Sequence, residues 1–154
     1  MLQTLTRRYD RMVEYAASHV PESLMLLMVR LALAAPFWFS GRTKMEEGTF
    51  ITISENTLYQ FGDDPFNKLP LLSPEFAAHL TTYAEHFFPV LLVFGLFTRL
   101  SALALLTMTM VIQIFIYPEA WWQVHILWTA LALTLIVRGG GTLSVDKYLT
   151  SRRA

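Results

Sequence analysis

Of the chain's 154 residues, 54% are hydrophobic and only 16% are charged, whereas soluble globular domains average about 45–50% apolar and about 25% charged residues. The composition therefore indicates a membrane protein, and the equal numbers of basic and acidic residues, twelve of each, leave no global field to attract nucleic acid. Because it has no cysteine, the chain forms no disulfide, zinc–thiolate site or iron–sulfur cluster of its own.

The segment before the first apolar stretch contains apolar side chains that recur at steps of three and four residues. The apolar positions are Leu2, Leu5, Tyr9, Met12, Val13 and Ala16, and the arginines between them are Arg7, Arg8 and Arg11. This spacing predicts an amphipathic helix that lies on the membrane surface with its arginines near anionic headgroups. The alternative is a solvated leader whose periodicity is due to chance.

Four apolar stretches approach the roughly 20 residues that a helix needs to cross a hydrocarbon core about 30 Å thick. They cover residues 23–40, 76–97, 100–117 and 121–137. None shows the strict alternation of a membrane β-barrel, and a soluble bundle would lack the polar faces needed to cover them. We therefore predict a single all-α domain over residues 1–154, an integral membrane four-helix bundle with an N-terminal amphipathic helix.

A long loop, residues 42–75, separates the first two predicted spans and is rich in aromatic and aliphatic side chains. Loops of this length usually have structure or function. We expect this one to fold back over the outer mouth of the bundle. Ser73, Pro74 and Glu75 form a typical helix start, so we expect them to cap the second span.

Basic residues predict the orientation, because lysine and arginine accumulate on the cytoplasmic side of membranes. Four spans place both termini on one side. That side has eight basic residues: Arg7, Arg8, Arg11, Arg99, Arg138, Lys147, Arg152 and Arg153. The opposite side has three: Arg42, Lys44 and Lys68. We therefore expect both termini in the cytoplasm.

Five polar side chains within the spans are candidates for function: Arg30, Glu85, His86, Gln113 and His125. A charge at mid-membrane costs roughly 2.5–3.5 kcal/mol even on the gentlest scale, so such residues normally face the bundle interior and find partners. Counting about 1.5 Å per residue from the span ends places Glu85, Gln113 and His125 in one layer. Arg30 falls about 8 Å below it, and we expect an Arg30–Glu85 ion pair. The alternative is that Arg30 extends to the headgroups while Glu85 is protonated or meets water.

The two histidines also allow a haem site, because imidazoles on facing helices can ligate iron from both sides. Against this, only His86 and His125 are available, and an isolated intramembrane histidine is more often a packing residue. Imidazole and carboxylate ligands at Glu85 and His125, with His86 as a further candidate, suit zinc or iron, but no dense ligand motif occurs. We therefore predict no dedicated metal site.

Aromatic residues near the outer half of the spans suggest a different kind of site. Most of them are expected to serve packing or to anchor the helices in lipid. An apolar aromatic cavity with a few polar groups nevertheless suits a flat amphipathic ligand such as a quinone, and Glu85 or His125 can exchange a proton with its oxygen. The predicted pocket residues are Arg30, Trp38, Lys44, Glu85, Gln113 and His125, with Lys44 at the mouth.

Three stretches of the sequence carry recognisable motifs: RLALAAPFWFSGRTKM from Arg30, LLVFGLFTRLSA from Leu91 after Glu85, and GGGTLSVDKYL from Gly139. Together they resemble the DoxX family of small four-span membrane proteins. The family's recurring residues fall on the first-span arginine, a Gly-x-x-Lys, the second-span acid, a Gly-Leu-x-Thr-Arg turn and a closing Gly-Gly-x-x-x-x-Asp. These positions are Arg30, Gly41, Lys44, Glu85, the turn from Gly95 to Arg99, and Gly140 with Asp146.

The resemblance implies a bacterial inner-membrane protein with redox associations. Members of the family include a subunit of thiosulfate:quinone oxidoreductase and partners of a sulfurtransferase and a superoxide dismutase, although family membership alone does not transfer a reaction. The leading hypothesis is a redox-associated accessory or quinone-interacting subunit. One alternative is a non-catalytic scaffold or transport helper that recruits a soluble protein partner through its arginine-rich inner face. A second is a b-type haem protein, and a homo-oligomer is compatible with each.

Overall fold

The computed structural model describes residues 2–19, 21–69 and 72–152. Within these ranges the chain forms seven α-helices and no β-strand, apart from an isolated antiparallel bridge between Met45 and Ile53. The helices are α1 (Leu2–His19), α2 (Glu22–Thr43), α3 (Glu55–Gly62), α4 (Pro74–Phe94), α5 (Thr98–Val111), α6 (Ile126–Arg138) and α7 (Val145–Ser151). The prediction of an all-α fold is confirmed.

Wide π-helical turns lengthen α5 and α6 where the two helices meet. Ile112–Ile116 continues α5, and Trp121–His125 leads into α6. A single 3₁₀ turn, Pro118–Ala120, connects them. Because π turns shift side chains away from the positions that a regular helix would give, they are frequent at functional sites.

Among the described residues, three helical segments are long and apolar enough to cross a membrane: Glu22–Thr43, Thr98–Ile116 and Pro118–Arg138. The fourth predicted span corresponds to α4, which has 21 residues and therefore sufficient length. The part of α4 before Phe87 is less apolar than the rest because it contains His79, Thr81, Thr82, Glu85 and His86. It packs most extensively against α2 and also against α5, so it completes the four-helix bundle.

The core of the bundle is built from small and aliphatic side chains of all four long helices. Its fully or nearly fully buried members are Leu26, Leu33, Ala34, Phe37, Leu92, Ala102, Leu105, Ala132 and Leu135. Large apolar side chains also point outward from the same helices, including Phe87, Leu100, Leu133 and Val137. A monomer in water rarely exposes so much contiguous apolar surface, so this surface is suited to lipid.

The loop between α2 and α4 forms a compact structure, residues 45–69, which we call the cap. It contains the Met45–Ile53 bridge, α3 and a 3₁₀ turn, Phe66–Lys68. Phe61 of α3 is buried against Ala77 and Ala78 of α4, and the Phe66 ring lies 6.1 Å from that of Tyr117 at the end of α5. The expected folding of this loop over one end of the bundle is therefore confirmed. Ser73 caps α4 as expected, since its hydroxyl accepts a hydrogen bond from Phe76 N.

The N-terminal helix is amphipathic, as its spacing predicts. Tyr9 and Met12, on its apolar face, are 69% and 72% exposed. The side chains of Leu2, Leu5 and Ala16, which we placed on the same face, lie outside the described part of the structure, as does Arg153.

Candidate functional site

Arg30 is completely buried, and its guanidinium binds main-chain carbonyl oxygens rather than a carboxylate. Nη1 donates to the carbonyls of Leu92 and Val93 at 3.2 Å each, and Nη2 donates to the carbonyl of Leu143. Leu92 and Val93 lie in the last turn of α4, where unpaired carbonyls and the negative end of the helix dipole favour a cation. The predicted ion pair between Arg30 and Glu85 is wrong.

The axial offset between α2 and α4 explains why Arg30 does not pair with Glu85. A Cβ atom built on Gly95, just after the end of α4, would overlap the Arg30 guanidinium, so Arg30 lies opposite Gly95. Glu85 is ten positions earlier, about 15 Å away along a helix. Our estimate assumed that the spans end at the same level. In the structure the first two turns of α2 extend past the end of α4 and pack against residues 139–143, where Ser23 and Thr142 share a hydrogen bond.

Asp146 closes the same end of the bundle. Its carboxylate accepts hydrogen bonds of 2.8 Å from the backbone amides of Phe97 and Thr98, at the start of α5. Its own amide donates to the carbonyl of Gly95 at 2.9 Å, and its charge interacts favourably with that of Arg30. We call Arg30, the turn of residues 95–98 and Asp146 the Arg30 cluster. The carboxylate and backbone groups of this cluster bind one another, which indicates a structural role, whereas Arg30 Nε and Thr98 Oγ1 are buried without a hydrogen-bond partner among the described residues.

Glycine is required at two positions beside this cluster. Gly95 ends α4 with a left-handed φ of 67°, and an added Cβ would also lie 2.6 Å from Cβ of Ser144. A Cβ on Gly140 would lie 2.7 Å from Oγ1 of Thr98. The glycines and the aspartate that we noted as motifs therefore hold the α4–α5 turn against the segment that precedes α7.

Glu85 is buried near the other end of the bundle, where Lys44 is its partner. Oε2 of Glu85 lies 2.6 Å from Nζ of Lys44, and Oε1 accepts a hydrogen bond of 3.2 Å from the Ser40 hydroxyl. That hydroxyl accepts a bond of 2.7 Å from Nζ of Lys44, which also donates to the Ser40 carbonyl at 3.3 Å. Glu85 and Lys44 are only 3% and 14% exposed in their side chains, so they form a buried ion pair joined through a serine.

Gly41 makes this arrangement possible. A Cβ at this position would lie 3.1 Å from Cβ of Glu85 and 2.8 Å from the ring of His86, so α2 and α4 approach one another too closely for any side chain here. Lys44 follows one turn later, at the C-terminal cap of α2, and its long side chain reaches back to the carboxylate. The Gly-x-x-Lys motif thus brings Lys44 to Glu85.

A cavity of about 450 Å³ opens beside the ion pair, within the range of volumes typical of small-molecule sites. We call it the Glu85 cavity. Ser40, Lys44 and Glu85 supply a charged and polar edge, and Thr43, Gln60, Thr81 and Thr107 are further polar side chains of the lining. Its apolar and aromatic walls come from the cap, α4 and α5, and include Phe61, Phe66, Leu69, Leu72, Leu80, Ala84, Met108, Val111, Ile112, Ile116 and Tyr117.

Gln113 and His125 form a separate polar unit. Nδ1 of His125 lies 2.7 Å from Oε1 of Gln113, and Nε2 of Gln113 donates to the Pro118 carbonyl at 2.7 Å. The imidazole also lies against Trp128, with 5.4 Å between ring centroids. The structure therefore joins these two predicted pocket residues to each other, but neither lines the Glu85 cavity.

The structure likewise separates the two candidate haem ligands. His86 lies between α2 and α4, where Nδ1 is 2.8 Å from the Thr82 carbonyl and the ring packs edge-on against Trp38 at 5.2 Å. His125 has Gln113 and Trp128 as neighbours instead. Trp38 and Arg30 do not line the Glu85 cavity either. Within the described ranges no group of three or more histidine and acidic side chains is arranged to hold a metal ion.

Comparison with known proteins identifies one matching family. The DoxX family model matches residues 25–118, which contain the Arg30 contacts to α4 and the Lys44–Glu85 pair. The chain is also similar to an uncharacterized protein of Haemophilus influenzae, with 30% identity over 146 residues that cover 84% of this chain and 86% of the relative. No solved structure matches the chain significantly.

Proposed function

This chain belongs to the DoxX family, and we propose that it is an accessory subunit of a redox system that binds a quinone in the Glu85 cavity. The observation that carries the proposal is a buried Lys44–Glu85 pair at the edge of a cavity of about 450 Å³ with mainly apolar and aromatic walls. A flat ring needs such walls, and its oxygens need a few fixed polar groups.

The hydrogen bonds around the pair favour the reduced, hydroxyl-bearing form of such a ligand. All three protons of the Lys44 ammonium group have acceptors, on Ser40 and Glu85, so a quinone carbonyl would have to displace one of them. Among the described residues, only two hydrogen bonds go to the Glu85 carboxylate, which has capacity for about four. A quinol hydroxyl can therefore donate to Glu85 without breaking the ion pair.

Binding of short-chain ubiquinol and ubiquinone to the detergent-purified protein tests this proposal, with affinity measured by titration calorimetry and by thermal shift. We expect ubiquinol to bind more tightly than ubiquinone. Glu85→Gln should weaken ubiquinol binding about tenfold or more, since hydrogen bonds to charged groups are the strong ones. Glu119→Gln is the matched control, because Glu119 is exposed and does not line the cavity.

A second variant keeps the test decisive if Glu85→Gln unfolds. Ala84→Phe fills the Glu85 cavity while the ion pair is unchanged, and Ala130→Phe adds the same ring at an exposed position that does not line the cavity. Loss of binding in Ala84→Phe alone supports the proposal. Two results would overturn the proposal. The natural protein could bind neither quinone nor quinol, or Ala84→Phe and Ala130→Phe could bind quinol equally well.

We also propose that the protein is a multi-pass protein of the bacterial inner membrane with both termini in the cytoplasm, which the distribution of basic residues supports. The chain has no cysteine, so single cysteines report sidedness directly. In intact cells a membrane-impermeant maleimide should label Glu47→Cys in the cap, but should label Lys147→Cys of α7 only after permeabilisation. The reverse pattern would overturn this orientation.

A second candidate function is recruitment of a soluble protein partner by α1. The specific observation that favours it is that residues 6–15, which include Arg7, Arg8 and Arg11, are all exposed. Charge reversal of the three arginines to glutamate should then release a co-purifying acidic partner while quinol binding persists. If the same proteins co-purify with the natural chain and the variant, the recruitment hypothesis is wrong.

A further inference from the structure

A second cleft, of about 850 Å³, lies at the opposite end of the bundle from the Glu85 cavity. It is formed by the first turn of α2, the start of α5, the glycine segment after α6, and α7. We call it the Arg99 cleft, because Arg99, Arg138 and Lys147 line it together with Glu22 and Asp146. None of these side chains touches the Glu85 cavity, so the site is independent of the proposed quinone site.

Two of its three cations are not neutralised by any described carboxylate. Arg138 forms an ion pair with Glu22, and both oxygens of Asp146 accept hydrogen bonds from backbone amides of the α5 start. Within the described ranges neither Arg99 nor Lys147 forms an ion pair with a carboxylate. Arg99 donates from Nη2 to the Val137 carbonyl at 3.2 Å, which leaves most of its five N–H donors available.

The position and the walls of the cleft are suited to a lipid. Thr98 and Arg138, at the cleft, are the ends of two segments able to span a membrane, so the cleft lies at the level of the headgroups. Phe97 and Leu100 are each 60% exposed beside it, where acyl chains would run. Arginine binds phosphate oxygens through paired N–H donors.

We propose that the Arg99 cleft binds the phosphate of an anionic phospholipid, with its acyl chains against Phe97 and Leu100. Basic pockets between membrane helices are typical sites for anionic headgroups. The uncompensated charges of Arg99 and Lys147 select an anionic headgroup over a zwitterionic one, and the apolar walls select a lipid over free phosphate.

Native mass spectrometry of the detergent-purified full chain tests this proposal, with added phosphatidylglycerol, phosphatidylcholine or glycerol 3-phosphate. We expect phosphatidylglycerol to be retained roughly tenfold more than phosphatidylcholine. Each of the two cations would favour the anionic lipid about fivefold without screening, and screening by salt lowers their combined effect. Lys147→Gln combined with Arg99→Gln should abolish this preference. Arg152→Gln, at an exposed arginine in the same region that does not line the cleft, should retain it.

Lys147→Gln alone covers the case in which the double variant does not fold, because the Lys147 side chain makes no hydrogen bond or ion pair with any described residue. It should reduce the preference by about threefold, because each of the two cations contributes about half of the free energy behind the tenfold preference. Three results would overturn the proposal: equal retention of the two lipids by the natural chain, an unchanged preference in Lys147→Gln, or displacement of the lipid by an equal concentration of glycerol 3-phosphate. The last would identify a free phosphate as the ligand.

Discussion

The two ends of the bundle each bury a charged side chain, but they do so in different ways. At one end Arg30 binds three main-chain carbonyls, and Gly95 packs against it. At the other end Glu85 binds the side chains of Lys44 and Ser40 beside a cavity. A charge whose partners are fixed backbone atoms stabilises one structure. A charge whose partners are side chains beside a cavity can also bind a ligand.

The largest expected effect is that of Gly95→Ala in the Arg30 cluster. The new Cβ would overlap the Arg30 guanidinium at a left-handed φ of 67°, so we expect a loss of about 3 kcal/mol or more in the free energy of unfolding. Gly48→Ala is the matched control. Gly48 has a similar φ of 77° with nothing within 4 Å of its added Cβ, so its cost should be only about 1 kcal/mol.

Both free energies can be measured by reversible unfolding in mixed detergent. Equal losses in the two glycine variants would show that the backbone conformation alone matters and that the contact between Arg30 and Gly95 does not.

Arg30→Met should follow, with a loss of about 2–4 kcal/mol, because the carbonyls of Leu92, Val93 and Leu143 each lose the guanidinium donor, although that of Leu92 keeps its hydrogen bond from Gly95 N. Quinol affinity per folded molecule should not change, since Arg30 does not line the Glu85 cavity. Unfolding curves combined with titration calorimetry separate the two effects. If a folded Arg30→Met protein had lost quinol binding, this would contradict the assignment of a structural role to the Arg30 end and a binding role to the Glu85 end.

The variant Gly41→Ala tests the close approach of α2 and α4. Its Cβ would lie 2.8 Å from the His86 ring, so we expect a loss of about 1–3 kcal/mol from overpacking, together with weaker quinol binding as the Lys44–Glu85 pair is displaced. Adding His86→Ala should restore part of the loss by removing the ring. Measured unfolding free energies that are additive for Gly41→Ala and His86→Ala would argue against this contact.

The smallest effect is expected for Gln113→Ala, which removes the hydrogen bonds to His125 and to the Pro118 carbonyl. A loss of about 1 kcal/mol in unfolding free energy is the usual size for such bonds. Quinol binding should be unchanged, because neither Gln113 nor His125 lines the Glu85 cavity. A strong loss of binding would place these residues in the functional site after all.

Apolar length and capping residues were sufficient to predict where the helices lie. The structure has the predicted Ser73 cap of α4, and the predicted spans overlap α2, α4, α5 and α6, although α4 ends at Phe94 whereas the second span was predicted to extend to residue 97. The partners of the charged residues could not be predicted, because hydrophobic periodicity shows which face of a helix is buried but not its axial offset from a neighbour. Because we assumed that the helices end at the same level, we paired Glu85 with Arg30 instead of with Lys44.

Two further features of the site were beyond sequence reasoning for physical reasons. Lys44 lies after the predicted end of the first span, so we placed it at the mouth, whereas its flexible side chain extends back to Glu85. The π turns at Ile112–Ile116 and Trp121–His125 change the direction of side chains counted at 3.6 residues per turn. Gln113 and His125 bind each other and do not line the Glu85 cavity.

The central claim is that Glu85 is paired with Lys44 and not with Arg30, and two double-mutant cycles test it most directly. Unfolding free energies of the alanine variants should show a coupling of about 0.5–3 kcal/mol between Lys44 and Glu85. Arg30→Ala and Glu85→Ala should be additive within about 0.5 kcal/mol. Coupling between Arg30 and Glu85, with additivity between Lys44 and Glu85, would contradict the account.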